Sequence, residues 1–383
     1  MDPPFHSLGE AMNTVRLSRS SVGAEESAAL ARVIDAGYLG MGEEVRLFEE
    51  EIASMIGGGR HVICVSTGTS ALHLAVSALD IGPGHEVIVP SITYVASFQA
   101  VSATGARPVA CDVRDGDVFL DLISAEKRLT SRTRAIMPVH YGSSARGLRE
   151  VYAFARANGL RVIEDAAHAF GSTCNGINVG AEGDVVCFSF DGIKNITSGE
   201  GGAVVTGDAR VASRIRDGRL LGVEKDTEAR YAARRSWTFD VHHQGFRYHM
   251  SNLMAAVGRE QLKKLEKFSS RRRLLAERYR QELGQLDWIA LLDMDWAEIV
   301  PHIFVLKVRG GRRDALGAHL RSLGIEWGLH YQPNHQLSFF RSEECPVSDR
   351  LGGELLSIPL HAELTDHDQD RVIAAIRTFS GAP

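Results

Sequence analysis

Residues 61–79, HVICVSTGTSALHLAVSAL, decide the fold class. The first six are rich in β-branched apolar residues and read as a buried strand over 61–66. The chain then runs through Thr67, Gly68, Thr69 and Ser70 into apolar residues at helical spacing over 71–79. A strand that passes directly into a helix is half of a strand–helix–strand unit. Its repetition along a chain means a mostly parallel sheet covered by helices on both faces.

The unit repeats outward from there. Strands are predicted at 86–90 (EVIVP), 107–113, 135–140, 160–164, 185–190 and 202–206, making seven with the first. Helices are predicted at 93–103, 148–158 and 208–216. The strand GAVVT, 202–206, follows its predecessor after a loop alone, so it can pair antiparallel. Before residue 61, helical spacing covers 24–36 and 43–56, with Gly37, Gly40 and Gly42 between. Beyond 217 the pattern changes. Residues 222–250 read as loop, and 251–283 as one long helix with a break expected near 268–270. A strand at 301–308, a helix at 313–323 and a closing helix from Asp366 follow. The expected organisation is a large domain over 15–250, then a linking helix and smaller α/β domain over 251–383.

Composition sets the class of partner. The chain is 44% apolar and 24% charged, with net charge −5, as in ordinary globular proteins. No basic stripe points to nucleic acid, and no apolar run reaches the ~20 residues that span a bilayer. Five cysteines stand without a CxxC pair, which argues for a reducing compartment without a disulfide frame or zinc site. MDPPFHSLGE lacks the features of a signal peptide. The expected location is the cytoplasm.

Ligands of a parallel sheet bind outside the carboxyl ends of its strands. The first strand delivers Gly68, Thr69 and Ser70 at a helix N-terminus, where free N–H groups and hydroxyls suit a phosphate, or where the residues simply cap the helix. The 86–90 strand leads to Tyr94, which can stack on a flat ring or serve as core. The 160–164 strand delivers Asp165, with His168 three residues on. Asp165 is either a structural cap or a carboxylate that keeps a proton on a heterocyclic nitrogen. The sixth strand delivers Ser189 and then Lys194, in CFSFDGIKNITSGEGG, 187–202. Lys194 has apolar neighbours, Ile193 and Ile196. Such surroundings favour the neutral amine that forms an imine with an aldehyde. Pyridoxal 5′-phosphate needs a phosphate seat, a stacking ring, an acid at its ring nitrogen and such a lysine. The glycines at 199–202 read as backbone that passes close to cofactor or partner subunit.

Four stretches, GTSALHLAVSALDIGPGHEVIVPSITYVAS, VIEDAAHAFGS, GDVVCFSFDGIKNITSGEGGAVVT and YHMSNLMAAVGREQL, resemble the DegT/DnrJ/EryC1/StrS aminotransferases. These are fold-type I, pyridoxal-phosphate enzymes that mostly aminate keto sugars, and the similarity covers roughly residues 15–380. It implies that Lys194 forms the imine, Asp165 pairs with the ring nitrogen, His168 lies against the ring hydroxyl and Tyr94 stacks on the ring. Gly68, Thr69, Ser70 and Ser189 would hold the phosphate. Where the family commonly has Asn-Tyr-Arg-Met, with its Asn reaching the partner subunit's phosphate, this chain has Arg247-Tyr248-His249-Met250. Before the lysine it has Asp191-Gly192-Ile193 in place of a Pro-Thr type of sequence. Some members are dehydratases with histidine at the lysine position, so Lys194 supports transamination.

The resemblance implies glutamate as donor, a keto-sugar acceptor, ping-pong kinetics and a homodimer with sites at the subunit interface. His330, Tyr331 and His335 are candidates for the sugar side. Arg219, Arg234 and Arg235 are candidates for a nucleotide diphosphate. A nucleotide-linked keto-deoxysugar of cell-surface polysaccharide or natural-product synthesis is the leading acceptor. A free keto or aldehyde sugar (a keto-octulosonic acid or cyclitol ketone) is the alternative. A pyridoxal-phosphate-binding regulator without turnover is the reading from another class.

Overall fold

A computed structural model describes residues 14–224, 226–234 and 237–380. Seven strands, β1 (His61–Val65), β2 (Glu86–Pro90), β3 (Arg107–Cys111), β4 (Thr133–Ile136), β5 (Arg161–Asp165), β8 (Val185–Ser189) and β9 (Gly202–Thr206), form one sheet. The order is β1-β9-β8-β5-β4-β2-β3. Every neighbouring pair is parallel except those made by β9, which runs against both β8 and β1. A two-stranded hairpin, β6 (Thr173–Cys174) and β7 (Ile177–Asn178), lies outside it.

Alternation along each strand explains why the strands are almost wholly apolar. Ile63, Val185, Cys187 and Val204 enter one core, whereas Val62, Cys64, Val186, Phe188 and Val205 enter the core on the other face. Both faces are buried, so neither row of side chains can be polar. The helix Gly68–Ala78 packs on the first face, and Glu43–Ile56 on the second.

A three-stranded antiparallel sheet, β10 (Ile289–Leu291), β11 (Phe304–Val308) and β12 (Leu355–Ile358), builds a separate core with the helices Leu265–Leu283, Arg313–Ser322 and Asp366–Arg377. The long helical pattern divides into Asn252–Lys263 and Leu265–Leu283, meeting at Lys264 and not near 268–270. Phe268 and Ser269 are buried inside the second helix, and Lys264 carries the bend while its ammonium pairs with Glu26 (2.7 Å). Within the expected 222–250 loop a short helix forms, Asp226–Tyr231. The helix expected at 93–103 is Ala96–Ser102, and the Thr93 hydroxyl ahead of it is hydrogen-bonded to that of Ser97 (2.9 Å). No helix among the described residues is long and apolar enough to cross a membrane.

Candidate active site

The carboxyl ends of β1, β5 and β8 converge. Thr67 caps the helix after β1, its hydroxyl accepting from Ser70 N–H (3.0 Å). Ser70 Oγ in turn accepts from Thr67 N–H (3.0 Å) and donates to Thr67 O (2.8 Å). Ser70 therefore builds the cap, and its side chain is not free for a phosphate, as the sequence reading had placed it. The N–H groups of Gly68 and Thr69 make no hydrogen bond to any described residue. They are the open donors at the positive end of the helix. A Cβ on Gly68 would lie 2.8 Å from that of Ser189, so only glycine lets β8 close on this turn. Gly202 is needed for a similar reason, since a Cβ there would meet Thr67 O at 2.5 Å. The glycine run is thus explained at Gly202 by this chain's own backbone.

Asp165 ends β5, buried, with its carboxylate fixed from two sides. Ser97 Oγ donates to Oδ2 (2.6 Å) and Ala167 N–H to Oδ1 (3.2 Å). Ser97 is fully buried in the helix after β2. A serine in ASFQAVS carries no spacing signal, so only its hydrogen bond to Asp165, 68 positions away in the chain, reveals it.

Lys194 follows β8 in a loop held by Asn195. The Asn195 amide donates to the carbonyls of His168 (3.3 Å), Phe170 (3.0 Å) and Val300 (3.2 Å). Lys194 Nζ lies 3.4 Å from His302 Nε2. Burial pushes the amine down to about 8; Asp191 and Asp165 oppose this and Arg272 reinforces it. Desolvation disfavours a charge, so about a tenth of the amine is free at pH 7, far more than for an ordinary lysine. His168 Nε2 pairs with the Tyr331 hydroxyl (2.9 Å), and its ring packs 4.4 Å from that of His302. Burial first, then the Lys194 charge, hold His168 and His330 neutral, the latter at about 4.

The remaining candidates separate. Tyr331 joins the site through His168 and stands 5.7 Å, ring to ring, from the largely exposed Tyr94. His330 is half-buried, its Nδ1 paired with Ser357 Oγ (2.7 Å). His335 does not face a ligand: Nδ1 pairs with Ser91 Oγ (2.6 Å) and Nε2 with Asp349 (3.0 Å), so both nitrogens are spent on loop packing. Arg219 is also corrected. It is 0% exposed, bound to Glu49 (2.5 Å), Cys64 O (2.6 Å) and the Tyr231 hydroxyl (2.9 Å). A fully buried guanidinium whose charge is met by Glu49 is closed off from a substrate. Arg234 and Arg247 are exposed, and Arg235 lies outside the described residues. The strand-like stretch after Arg247 runs beside the end of β1, where Ser66 N–H donates to Tyr248 O (2.7 Å) and Val65 bridges His249. No cluster of metal-ligating side chains is present among the described residues.

These residues fit pyridoxal 5′-phosphate. The two open N–H groups beside Ser189 form an anion cradle that a Cβ on Gly68 would fill. Buried His168 Nδ1 has no partner among the described residues, and the Lys194 amine gives up its proton far more readily than an ordinary lysine. The fold and the donor set define a fold-type I, pyridoxal-phosphate-dependent aminotransferase. The chain belongs to the DegT/DnrJ/EryC1/StrS aminotransferase family, whose model matches residues 20–377. Among solved structures it is similar to the aminotransferase TlmJ from Streptoalloteichus hindustanus (31% identity, 95% of this chain and 98% of that one, TM-score 0.88). It is similar to S. venezuelae DesV, solved with a ketimine intermediate (36% identity, 94% and 95%, TM-score 0.85). It is also similar to the sugar aminotransferase CalS13 from Micromonospora echinospora (28% identity, 95% and 99%, TM-score 0.87).

Proposed function

We propose that this enzyme moves an amino group from glutamate to a nucleotide-linked keto-deoxysugar. The observation that carries the reading is the meeting of a depressed, partly buried Lys194 amine with Asp165 and the Gly68–Ser189 cradle at one sheet edge. The naming of CalS13 as a sugar aminotransferase supports the acceptor class.

Bound pyridoxal 5′-phosphate supplies an electron-accepting ring that carries the amino group between donor and acceptor. Gly68 and Thr69 N–H groups, with Ser189, bind its phosphate. Asp165 keeps a proton at the ring nitrogen, and Ser97 holds the carboxylate in place. His168 lies against the ring hydroxyl, and Tyr94 covers a ring face. Lys194 holds the aldehyde carbon and, once freed, moves the proton at the donor Cα. Because burial lowers the Lys194 amine to about 8 and keeps its imidazole neighbours neutral, the free amine that accepts that proton is within reach near neutrality.

A homodimer with sites at the subunit interface belongs to the same reading, with exposed Arg247 available to the partner's phosphate. So does a role in the cytoplasm, in cell-surface polysaccharide or natural-product sugar synthesis. The removal of Arg219 from the substrate side favours the second reading, a free keto sugar, because it leaves fewer cations for a diphosphate. Incubating the purified protein with glutamate and a panel of nucleotide-linked and free keto sugars separates the two by release of 2-oxoglutarate. Faster release with nucleotide-linked sugars supports the first reading, and faster release with free ones the second. No release with any, and no visible cofactor absorbance after adding pyridoxal 5′-phosphate, defeats both.

A further inference from the structure

His302 comes to the site from the C-terminal sheet, two residues before β11. It is buried, and its peptide is clamped at both ends. The N–H donates to Ser143 Oγ (3.1 Å), and the carbonyl accepts from Arg272 Nη1 (3.1 Å). Ser143 Oγ also donates to the carbonyl of His168 (2.5 Å), so one hydroxyl sets the backbone under both rings. His302 Nε2 is thereby held 3.4 Å from Lys194 Nζ.

The other ring nitrogen decides the chemistry. His302 Nδ1 is buried and has no partner among the described residues. A neutral imidazole carries one N–H. Placed on Nδ1, it is a buried donor with no acceptor, which native proteins rarely tolerate. Placed on Nε2, it meets Lys194 Nζ, which can accept only as the free amine. We propose that His302 is a positioning residue whose Nε2–H donates to Lys194 Nζ and so selects the free amine. That form alone adds to an aldehyde: the nitrogen lone pair makes the C–N bond, and the carbonyl oxygen leaves as water with the two amine protons.

The surroundings agree. Burial and then Lys194, His168, Arg272 and His330 keep the His302 ring from protonating. Around Lys194 the charged groups are Asp191, Asp165 and Arg272.

The inference rests on Lys194 being the cofactor-holding amine, and the test keeps the two apart. The full chain, stripped of cofactor, is mixed with pyridoxal 5′-phosphate across a pH series, trapped with borohydride, and its Lys194 peptide quantified by mass spectrometry. The wild-type midpoint is expected at about 8. H302L, which keeps the site apolar but removes the donor, should raise it by about one pH unit, the worth of one hydrogen bond. H302Q, whose amide N–H reaches the Nε2 position, should recover at least half of that shift. H302N, which reaches only the Nδ1 position, should not. If H302L does not fold, the contrast between H302Q and H302N decides. No label on Lys194 in the wild type at any pH defeats the Lys194 assignment itself. Label on Lys194 with one midpoint in all variants overturns the role of His302.

Discussion

Lys194 and Arg219 are both buried cations, and their settings are opposite. Arg219 is met by Glu49, the Tyr231 hydroxyl and the Cys64 carbonyl; burial works against its charge, but Glu49 and Tyr231 outweigh it and hold the guanidinium charged. Lys194 has an imidazole at hydrogen-bond distance, and the carboxylates that act on it, Asp191 and Asp165, do not outweigh burial. A buried charge met by a carboxylate of opposite sign is structural, because a ligand has no net charge left to balance. A buried amine without close compensation gives up its proton and becomes reactive.

The largest effect that would test this contrast is at the lysine. Lys194→Ala should lower kcat by at least about 10⁴-fold while the thermal midpoint stays near wild type, since both nucleophile and proton carrier are lost. Retained turnover with glutamate would sink the assignment. Glu49→Gln should do the reverse. Removing one partner of a buried pair costs about 3–5 kcal/mol of stability, read as a fall in thermal midpoint, with kcat of the folded fraction unchanged. A kcat loss without destabilisation would put Arg219 back on the substrate side.

Ser97→Ala lies between. It removes a donor to an ionised carboxylate, a bond worth about 1.5–3 kcal/mol, so kcat should fall about 10-fold or more as Asp165 loses its orientation. The smallest effect is pH. With an amine at about 8, the trapping of pyridoxal 5′-phosphate on Lys194 should rise as pH rises. Below the midpoint the ammonium dominates and above it the free amine, so the rise between pH 7 and 9 is about tenfold. A midpoint near that of an ordinary lysine would show that burial does not govern the amine.

The seven strands were legible because a sheet covered on both faces must be apolar on both rows of side chains. Runs such as VVCFS and EVIVP therefore stand out from any helix. Asp165 and Lys194 were legible for the same reason: each interrupts the polarity pattern where a buried strand ends. Ser97, Asn195 and His302 were not, since each acts through a contact with a residue distant in the chain, 105 positions away for Asn195 with Val300. The break at Lys264 was not legible, because the helical spacing continues through it.

The sequence by itself determined the alternation of elements, the edge where chemistry sits, and the residue types that suit pyridoxal 5′-phosphate. Only the tertiary structure decided which of those residues are free to act. It spent Ser70 on a helix cap, His335 on a loop and Arg219 on Glu49, and it brought His302 from another sheet to Lys194. Periodicity is a local property of the chain, but charge compensation depends on which side chains meet, and folding sets that.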